Sequence, residues 1–272
     1  MTGVRTALVM LIGAFTGFLG GMFGKGGSAI ATPLLHLVGI SSFASLASPL
    51  PATIPSTLIA AYAYHRADQV DRAVLRTTIV FGVPATVIGA VATQWIGGAS
   101  LILVTDIIVG VLGIRILADH HARTPAPAPA PVAALATGGG VGLGKTATDA
   151  GTTGYDPTTV AAVALAVGLV SGLLGNSGGF LLAPLFVTVL HIPLKRALGT
   201  SLAAAAVLAV PGTIVHAALG HIDWHVTLVF GLASIPLSFF GARLALKTRT
   251  DHLELVYGAA LVLLGGGLLL IR

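Results

Sequence analysis

The stretch Gly17-Phe-Leu-Gly-Gly-Met-Phe-Gly-Lys-Gly-Gly-Ser-Ala-Ile-Ala-Thr-Pro33 decides how the chain is organised, because it places a lysine among glycines inside an apolar run. Residues 168–184 repeat the pattern as Gly-Leu-Val-Ser-Gly-Leu-Leu-Gly-Asn-Ser-Gly-Gly-Phe-Leu-Leu-Ala-Pro. We call residues 24–28 the first knot and residues 175–179 the second knot. The glycines recur at matching positions, and the lysine of the first knot falls opposite Asn176. This indicates an internal duplication.

The composition is typical of a membrane protein. Of the 272 residues, 55% are hydrophobic and only 8% are charged, whereas a soluble domain carries about 25% charged residues. Several apolar runs reach the ~20 residues that cross a bilayer as a helix. The strands of a membrane barrel would instead give alternating segments of about ten residues. We therefore predict an all-α polytopic membrane protein. Because cysteine is absent, disulfides and thiolate metal sites are excluded.

Each half of the chain repeats one order of apolar segments. A long segment precedes each knot, a short segment follows it, and three long segments come next. The short segments, residues 28–38 and 180–190, would cover only about 17 Å as helices, which is too little to span a bilayer. We therefore predict, in each half, a glycine-rich broken or re-entrant helical hairpin plus three full transmembrane helices. The first repeat covers residues 1–118 and the second covers residues 158–272.

The duplication extends beyond the knots. With a slip of one residue, Ala47-Ser-Pro-Leu meets Gly199-Thr-Ser-Leu, and Asp71 meets Asp223. Pro84 then meets Pro236. Internal repeats of this kind are common in transporters.

The positions of lysine and arginine predict the orientation, because cytoplasmic loops are enriched in these residues. An odd number of crossings per half makes the second repeat inverted relative to the first. With both termini outside, nearly all basic residues fall on one side, and only Arg5 and Arg272 remain on the other. The positive charge is thus explained by membrane anchoring, and no nucleic-acid partner is expected. The sequence leaves open whether the chain forms homo-oligomers.

Residues 119–157 form a Pro/Ala/Gly-rich linker that we expect to be cytoplasmic. Its alternating run from Pro125 to Pro131 is typical of an extended spacer. Residues 139–146 formally satisfy the phosphate-loop pattern, but that motif has meaning only between a strand and a helix of an α/β domain. No cofactor is therefore expected.

The two knots are the strongest candidates for a binding site. Glycines allow a ligand to approach the backbone, successive N–H groups in such turns bind anions, and the following helix adds its positive N-terminal end. A small oxyanion would suit this set. The alternative is that the glycines only allow close helix packing and that the lysine extends to the membrane surface. The candidate residues are Gly24, Lys25, Gly26, Gly27 and Ser28 in the first knot, and Asn176, Ser177, Gly178 and Gly179 in the second.

Further candidates lie at the starts of the next helices and within one apolar segment. Ser48, Thr200 and Ser201 offer hydroxyls to a ligand held between the knots, the alternative being ordinary helix capping. Asp106 lies inside an apolar segment, where a carboxylate is costly and is a functional candidate by default, so it is the candidate for proton coupling, the alternative being that it only faces a polar group of a helix. His65 and His216 are interpreted as interfacial turn residues. No metal site and no catalytic cluster is predicted, so the protein is not expected to be an enzyme.

These features together resemble the sulfite exporter TauE/SafE family of membrane permeases. The resemblance rests on the two glycine-rich hairpins that end in proline, the start Gly199-Thr-Ser-Leu of the next helix and the turn around Ile222-Asp223. It covers residues 7–118 and 159–271. The turn after His65 lacks the usual glycine. The resemblance implies an inner-membrane secondary carrier that exports small sulfur-containing anions such as sulfite or sulfoacetate. An anion channel on the same scaffold and a non-transporting membrane binding or assembly component remain as alternatives.

Overall fold

The computed structural model describes residues 3–24, 28–104, 107, 111, 114 and 155–249. Throughout these ranges, the regular structure is helical. In chain order the helices are α1 (Gly3–Phe23), α2 (Ser28–Leu37), α3 (Ser42–Ala47), α4 (Pro49–Arg66), α5 (Arg72–Ala92), a 3₁₀ turn (Thr93–Trp95), α6 (Pro157–Leu173), α7 (Gly179–Thr188), α8 (Leu194–Ala218) and α9 (Trp224–Lys247). Residues 98–104 are also helical.

Aspartate begins three of these helices. Asp71, Asp156 and Asp223 each stand directly before a helix, and their carboxylates accept backbone N–H groups of its first turn. This satisfies donors that have no partner within the helix. At Asp156, hydrogen bonds from Thr158 and Thr159 lower the pKa of the carboxyl to about 2. The carboxylates therefore fix where α5, α6 and α9 start.

Five helical segments in the described ranges are long and apolar enough to cross a membrane, which agrees with a multi-pass protein. They are residues 3–23, 42–66, 72–95, 194–218 and 224–247. The first of the three long apolar segments predicted in the first half, residues 43–64, is divided into α3 and α4, because Ser48 separates them and Pro49 begins the second helix. The last of the long apolar segments predicted in the second half, residues 252–271, lies outside the described residues.

The helices on either side of each knot form a hairpin. The guanidinium of Arg5, near the start of α1, lies beside Gly39, which follows α2. In the second half, Tyr155 before α6 packs against the cluster that contains Leu190 and Ile192 after α7. Each short helix thus returns toward the level where the long helix before it began.

Long helices of one half pack mainly on helices of the other half. Helix α1 packs against α9, and its counterpart α6 packs against α5. Helix α4 likewise packs against α9, and its counterpart α8 against α5. Helices α4 and α8 contact each other between these two groups. The two halves are therefore interlocked, and α5 rests on helices of the second half rather than on α4.

Glycines permit this interlocking at matched positions. A Cβ at Gly21 of α1 would overlap the carbonyl oxygen of Ser238, and one at Gly172 of α6 would overlap that of Thr86. These two contacts correspond to each other in the duplicated sequence. Backbones can approach this closely only where no side chain separates them. Part of the glycine pattern in residues 17–33 and 168–184 is thus explained by helix packing.

Candidate functional site

The second knot is a tight turn between α6 and α7 that is built on two left-handed glycines. Gly175 has φ 58° and Gly178 has φ 72°, values that side-chain-bearing residues rarely adopt. Between them, the Oδ1 atom of Asn176 accepts the N–H of Gly178 at 2.9 Å. The backbone N–H of Asn176 is bonded to the carbonyl of Ser171. The turn is therefore held in one shape by its own bonds.

Two buried polar groups of this turn have no hydrogen-bond partner within the described part of the chain. They are the Nδ2 amide of Asn176 and the hydroxyl of Ser177, on side chains that are 1% and 0% exposed. An unpaired buried donor costs about 1–3 kcal/mol, so such groups call for an explanation. The first backbone N–H groups of α7 also lack partners within their helix. One anion could accept hydrogen bonds from these N–H groups and from the two side chains together.

The second knot packs against the junction of α3 and α4 from the other half. A Cβ at Gly175 would lie 3.2 Å from the carbonyl of Leu46, two residues before the break at Ser48. One buried cluster contains residues next to both knots, including Phe23, Ile30, Leu174 and Phe180. Residues that flank both knots therefore belong to the same core.

The first knot contacts the start of α8. Gly24 has φ 72°, and its carbonyl accepts the hydroxyl of Ser201 at 2.9 Å. Lys25, Gly26 and Gly27 lie outside the described residues, so their roles stay predictions. Ser28 begins α2. The predicted site residue Ser201 is thus placed at the first knot, where its hydroxyl contacts the backbone of Gly24.

The hydroxyls of Ser48 and Thr200 make matching bonds between the halves. Thr200 accepts the N–H of Asp71 at 2.9 Å, and Ser48 accepts the N–H of Asp223 at 2.9 Å. Thr200 also donates to the carbonyl of Arg196, so its single proton is engaged. These bonds anchor the turns before α5 and α9. That either hydroxyl also contacts a ligand stays a prediction.

The remaining residues that the sequence singled out are Asp106, His65 and His216. Asp106 lies outside the described residues. His65 is exposed, as expected of an interfacial residue. For His216 that expectation is wrong: it is 1% exposed, and its Nε2 atom lies 3.1 Å from the carbonyl of Gly172 below the second knot. The offset that relates Asp71 to Asp223 could have signalled this position, because it pairs His216 with Tyr64 rather than with His65.

Comparison with known proteins places the chain among membrane transporters. The family model described as sulfite exporter TauE/SafE matches residues 9–268. The chain is 23% identical to the probable membrane transporter protein YunE of Bacillus subtilis (strain 168), over 95% of each chain. It is 26% identical to a probable membrane transporter protein of Xylella fastidiosa (strain 9a5c), over 91% of this chain and 88% of that one. No solved structure matches at a significant level.

Proposed function

This chain belongs to the sulfite exporter TauE/SafE family of membrane transporters, and from that premise we propose that it is a secondary carrier that exports small sulfur-containing anions. Sulfite and organosulfonates such as sulfoacetate are the substrate class that we infer. The anion binds between the two knots, within the inner membrane. Both termini lie outside, and the linker of residues 119–157 is cytoplasmic.

The observation that carries this proposal is the pair of buried unpartnered donors at Asn176 and Ser177. A sulfonate or sulfite group offers several acceptor oxygens around one centre. The Nδ2 amide, the hydroxyl and the N-terminal end of α7 are all donors, and helix N-termini favour anions. An anion bound there would remove the cost of the unpaired groups.

The first knot supplies the charge in this proposal. Lys25 stands opposite Asn176 in the duplicated sequence, so the two knots offer a cation and a neutral donor to one ligand. Gly24, Gly26, Gly27 and the start of α2 at Ser28 add backbone donors. Ser48, Thr200 and Ser201 hold the helix starts next to the knots, and Gly178 and Gly179 shape the second turn.

Alternating access follows from the proposed symmetry. Helix α1 of the first half packs on α9 of the second, and its counterpart α6 packs on α5 of the first half. This symmetric pairing supports two inverted repeats, because such repeats are related by a pseudo-two-fold axis in the membrane plane. Rocking of one interlocked group against the other would expose a site between the knots first to one side and then to the other.

The first test measures binding and flux of sulfoacetate, sulfite, sulfate and chloride with purified protein in liposomes, comparing wild type with Ser177→Ala. Removing an unpartnered hydroxyl should not lower thermal stability, whereas losing a bond to an anion should weaken binding about tenfold or more. Ser234→Ala is the matched control, because Ser234 carries an equally buried, unpartnered hydroxyl in α9, where it packs against Gly17 of α1, about two helical turns before the first knot. Its affinity should equal that of wild type.

Two more variants test how charge at each knot affects anion binding. Asn176→Asp keeps the acceptor for the N–H of Gly178 but replaces the amide donors with a carboxylate, so anion binding should be lost. Lys25→Ala should weaken binding markedly. Equal affinity in wild type, Ser177→Ala and Asn176→Asp would refute the site. Flux that does not saturate and carries current would instead identify a channel.

A further inference from the structure

Two histidines form a contact that leads from a surface turn to the base of the second knot. His216, in the last turn of α8, is 1% exposed, and its Nδ1 atom lies 3.0 Å from Nδ1 of His221. His221 lies in the turn before α9, is only partly buried, and stacks on the ring of Phe43 with centroids 4.3 Å apart. On its other side, His216 reaches the carbonyl of Gly172, which also accepts the N–H of Gly175 in the knot.

The chemistry of these contacts fixes where the protons are. A carbonyl can only accept, so Nε2 of His216 carries a hydrogen. When His216 is neutral, its Nδ1 is therefore an acceptor, and Nδ1 of His221 donates to it. One added proton is compatible with this contact, because it can reside on either ring. Two added protons would place an N–H on both Nδ1 atoms, facing each other at 3.0 Å, and would break the contact.

In the first half of the chain, the equivalent positions are occupied by side chains that do not titrate near neutral pH. The offset that pairs Asp71 with Asp223 pairs His216 with Tyr64 and His221 with Gln69. The hydroxyl of Tyr64 donates to the carbonyl of Met22 at 3.3 Å, and the N–H of Gln69 bonds to the carbonyl of Tyr64 as that of His221 does to His216. Packing alone thus does not require histidine, and neither a phenol nor an amide titrates between about pH 5 and 8.

We propose that His216 and His221 together form a binding site for one proton, which couples proton uptake to anion binding in the second knot. This rests on the proposed function of that knot. The positive charge of the protonated pair lies one hydrogen bond from Gly172, three residues before the left-handed turn at Gly175. Binding of the proton then raises the affinity for the anion, and by thermodynamic linkage binding of the anion raises the affinity for the proton by the same factor.

Among the helices that the structure describes around this end of α8, the pair is the main titrating group. Helices α6 and α7 carry no ionisable side chain, and α3, which supplies Phe43, carries none either. The ionisable residues of α4 and α5 lie toward the start of α8, where Tyr64 packs against Gly199 and Asp71 bonds to Thr200. They are Tyr62, Tyr64, His65 and Arg66 on α4, and Arg72 and Arg76 on α5.

Two ionisable neighbours remain in the turn of His221 itself. The carboxylate of Asp223 accepts the N–H groups of His225 and Val226, and His225 is exposed. Burial lowers the pKa of His221. A bound anion acts in the opposite direction, because a nearby negative charge raises the pKa of an imidazole.

The test measures the affinity for an alkylsulfonate, whose charge is constant over the range used, from about pH 7.5 to 5.5. In wild type the Kd should fall on acidification by up to about tenfold per pH unit, the limit for one linked proton. The double variant His216→Tyr/His221→Gln copies the residues of the first half and should bind with a pH-independent Kd. His225→Gln, in the same turn, is the matched control and should retain the wild-type profile.

A flat wild-type profile, or a double variant that keeps the pH dependence while Asp106→Asn loses it, would overturn the proposal. His221→Gln alone serves if the double variant does not fold, since it keeps the bond from His216 to Gly172 and should also flatten the profile. Nitrogen NMR of labelled histidine gives an independent readout without any anion. One proton shared by the two rings supports the pair, and two independent protonations overturn it. A wild type that binds no anion refutes the proposed function by itself, while the NMR titration still decides the pair.

Discussion

Asp68 and Gly220 occupy matching positions in the turns that follow α4 and α8. Both have positive φ, 54° for Asp68 and 71° for Gly220. An L-residue pays for this conformation, although aspartate tolerates it better than most. The missing glycine was visible in the sequence of residues 66–69. Only the structure shows that Asp68 nevertheless keeps the left-handed turn. This turn brings the N–H of Asp71 within hydrogen-bond distance of the hydroxyl of Thr200.

At this scale we predict that Asp68→Gly raises the free energy of unfolding by about 0.5 kcal/mol, because it relieves the left-handed strain. Gly220→Ala should lower it by about 1 kcal/mol for the converse reason, since a Cβ there would meet no other atom within 4 Å and only the backbone conformation is strained. Thermal unfolding in detergent measures both. A loss of stability in Asp68→Gly would show that the carboxylate makes a contact worth more than the strain.

At the scale of the helices, close packing depends on glycines whose backbones touch. Gly21 of α1 faces Ser238 of α9, and the corresponding Gly172 of α6 faces Thr86 of α5. The sequence showed that these glycines recur, but not what they face. Periodicity indicates that a helix has a close-packing face, whereas the identity of its partner depends on the whole arrangement.

We predict that Gly21→Ala destabilises the protein by about 1–3 kcal/mol, the usual cost of overpacking. The new Cβ would overlap the carbonyl oxygen of Ser238, so α1 and α9 must move apart. Gly3→Ala in the same helix is the control, because a Cβ there meets nothing within 4 Å and should cause no loss. Chemical denaturation of the purified variants measures the difference, and equal stability of the two would contradict the packing described for α1 and α9.

For the whole molecule, the sequence predicted the helical membrane class and the breaks between α1 and α2 and between α6 and α7, because long apolar runs and glycine clusters are local signals. It did not predict that Ser48 and Thr200 receive backbone N–H groups from the opposite half. It also placed His216 at the surface, although that side chain is buried. These features depend on contacts between residues far apart in the chain, which no local pattern encodes.

The interlocked halves lead to a prediction about the intact chain. A protein divided in the linker, between Leu135 and Ala136, should assemble when both fragments are co-expressed, since the contacts between α1 and α9 and between α5 and α6 do not involve the linker. Either fragment alone should be degraded or aggregate. Co-purification through a tag on one fragment measures assembly. A first fragment that folds and resists protease by itself would contradict the arrangement.

Because helices of one half pack on helices of the other, the order of synthesis also determines when each contact can form. Helix α5 leaves the ribosome before either of its partners α6 and α8 exists. At about 5–20 residues per second, the stretch from Ala92 to Leu173, the end of α6, takes roughly 4–16 s to make. During that time the contact face of α5, with Gly82 and Gly89, has only lipid or the insertion machinery beside it. Folding of the first half is therefore completed by the second, and a nascent chain that stops early leaves an unpaired helix for membrane proteases to recognise.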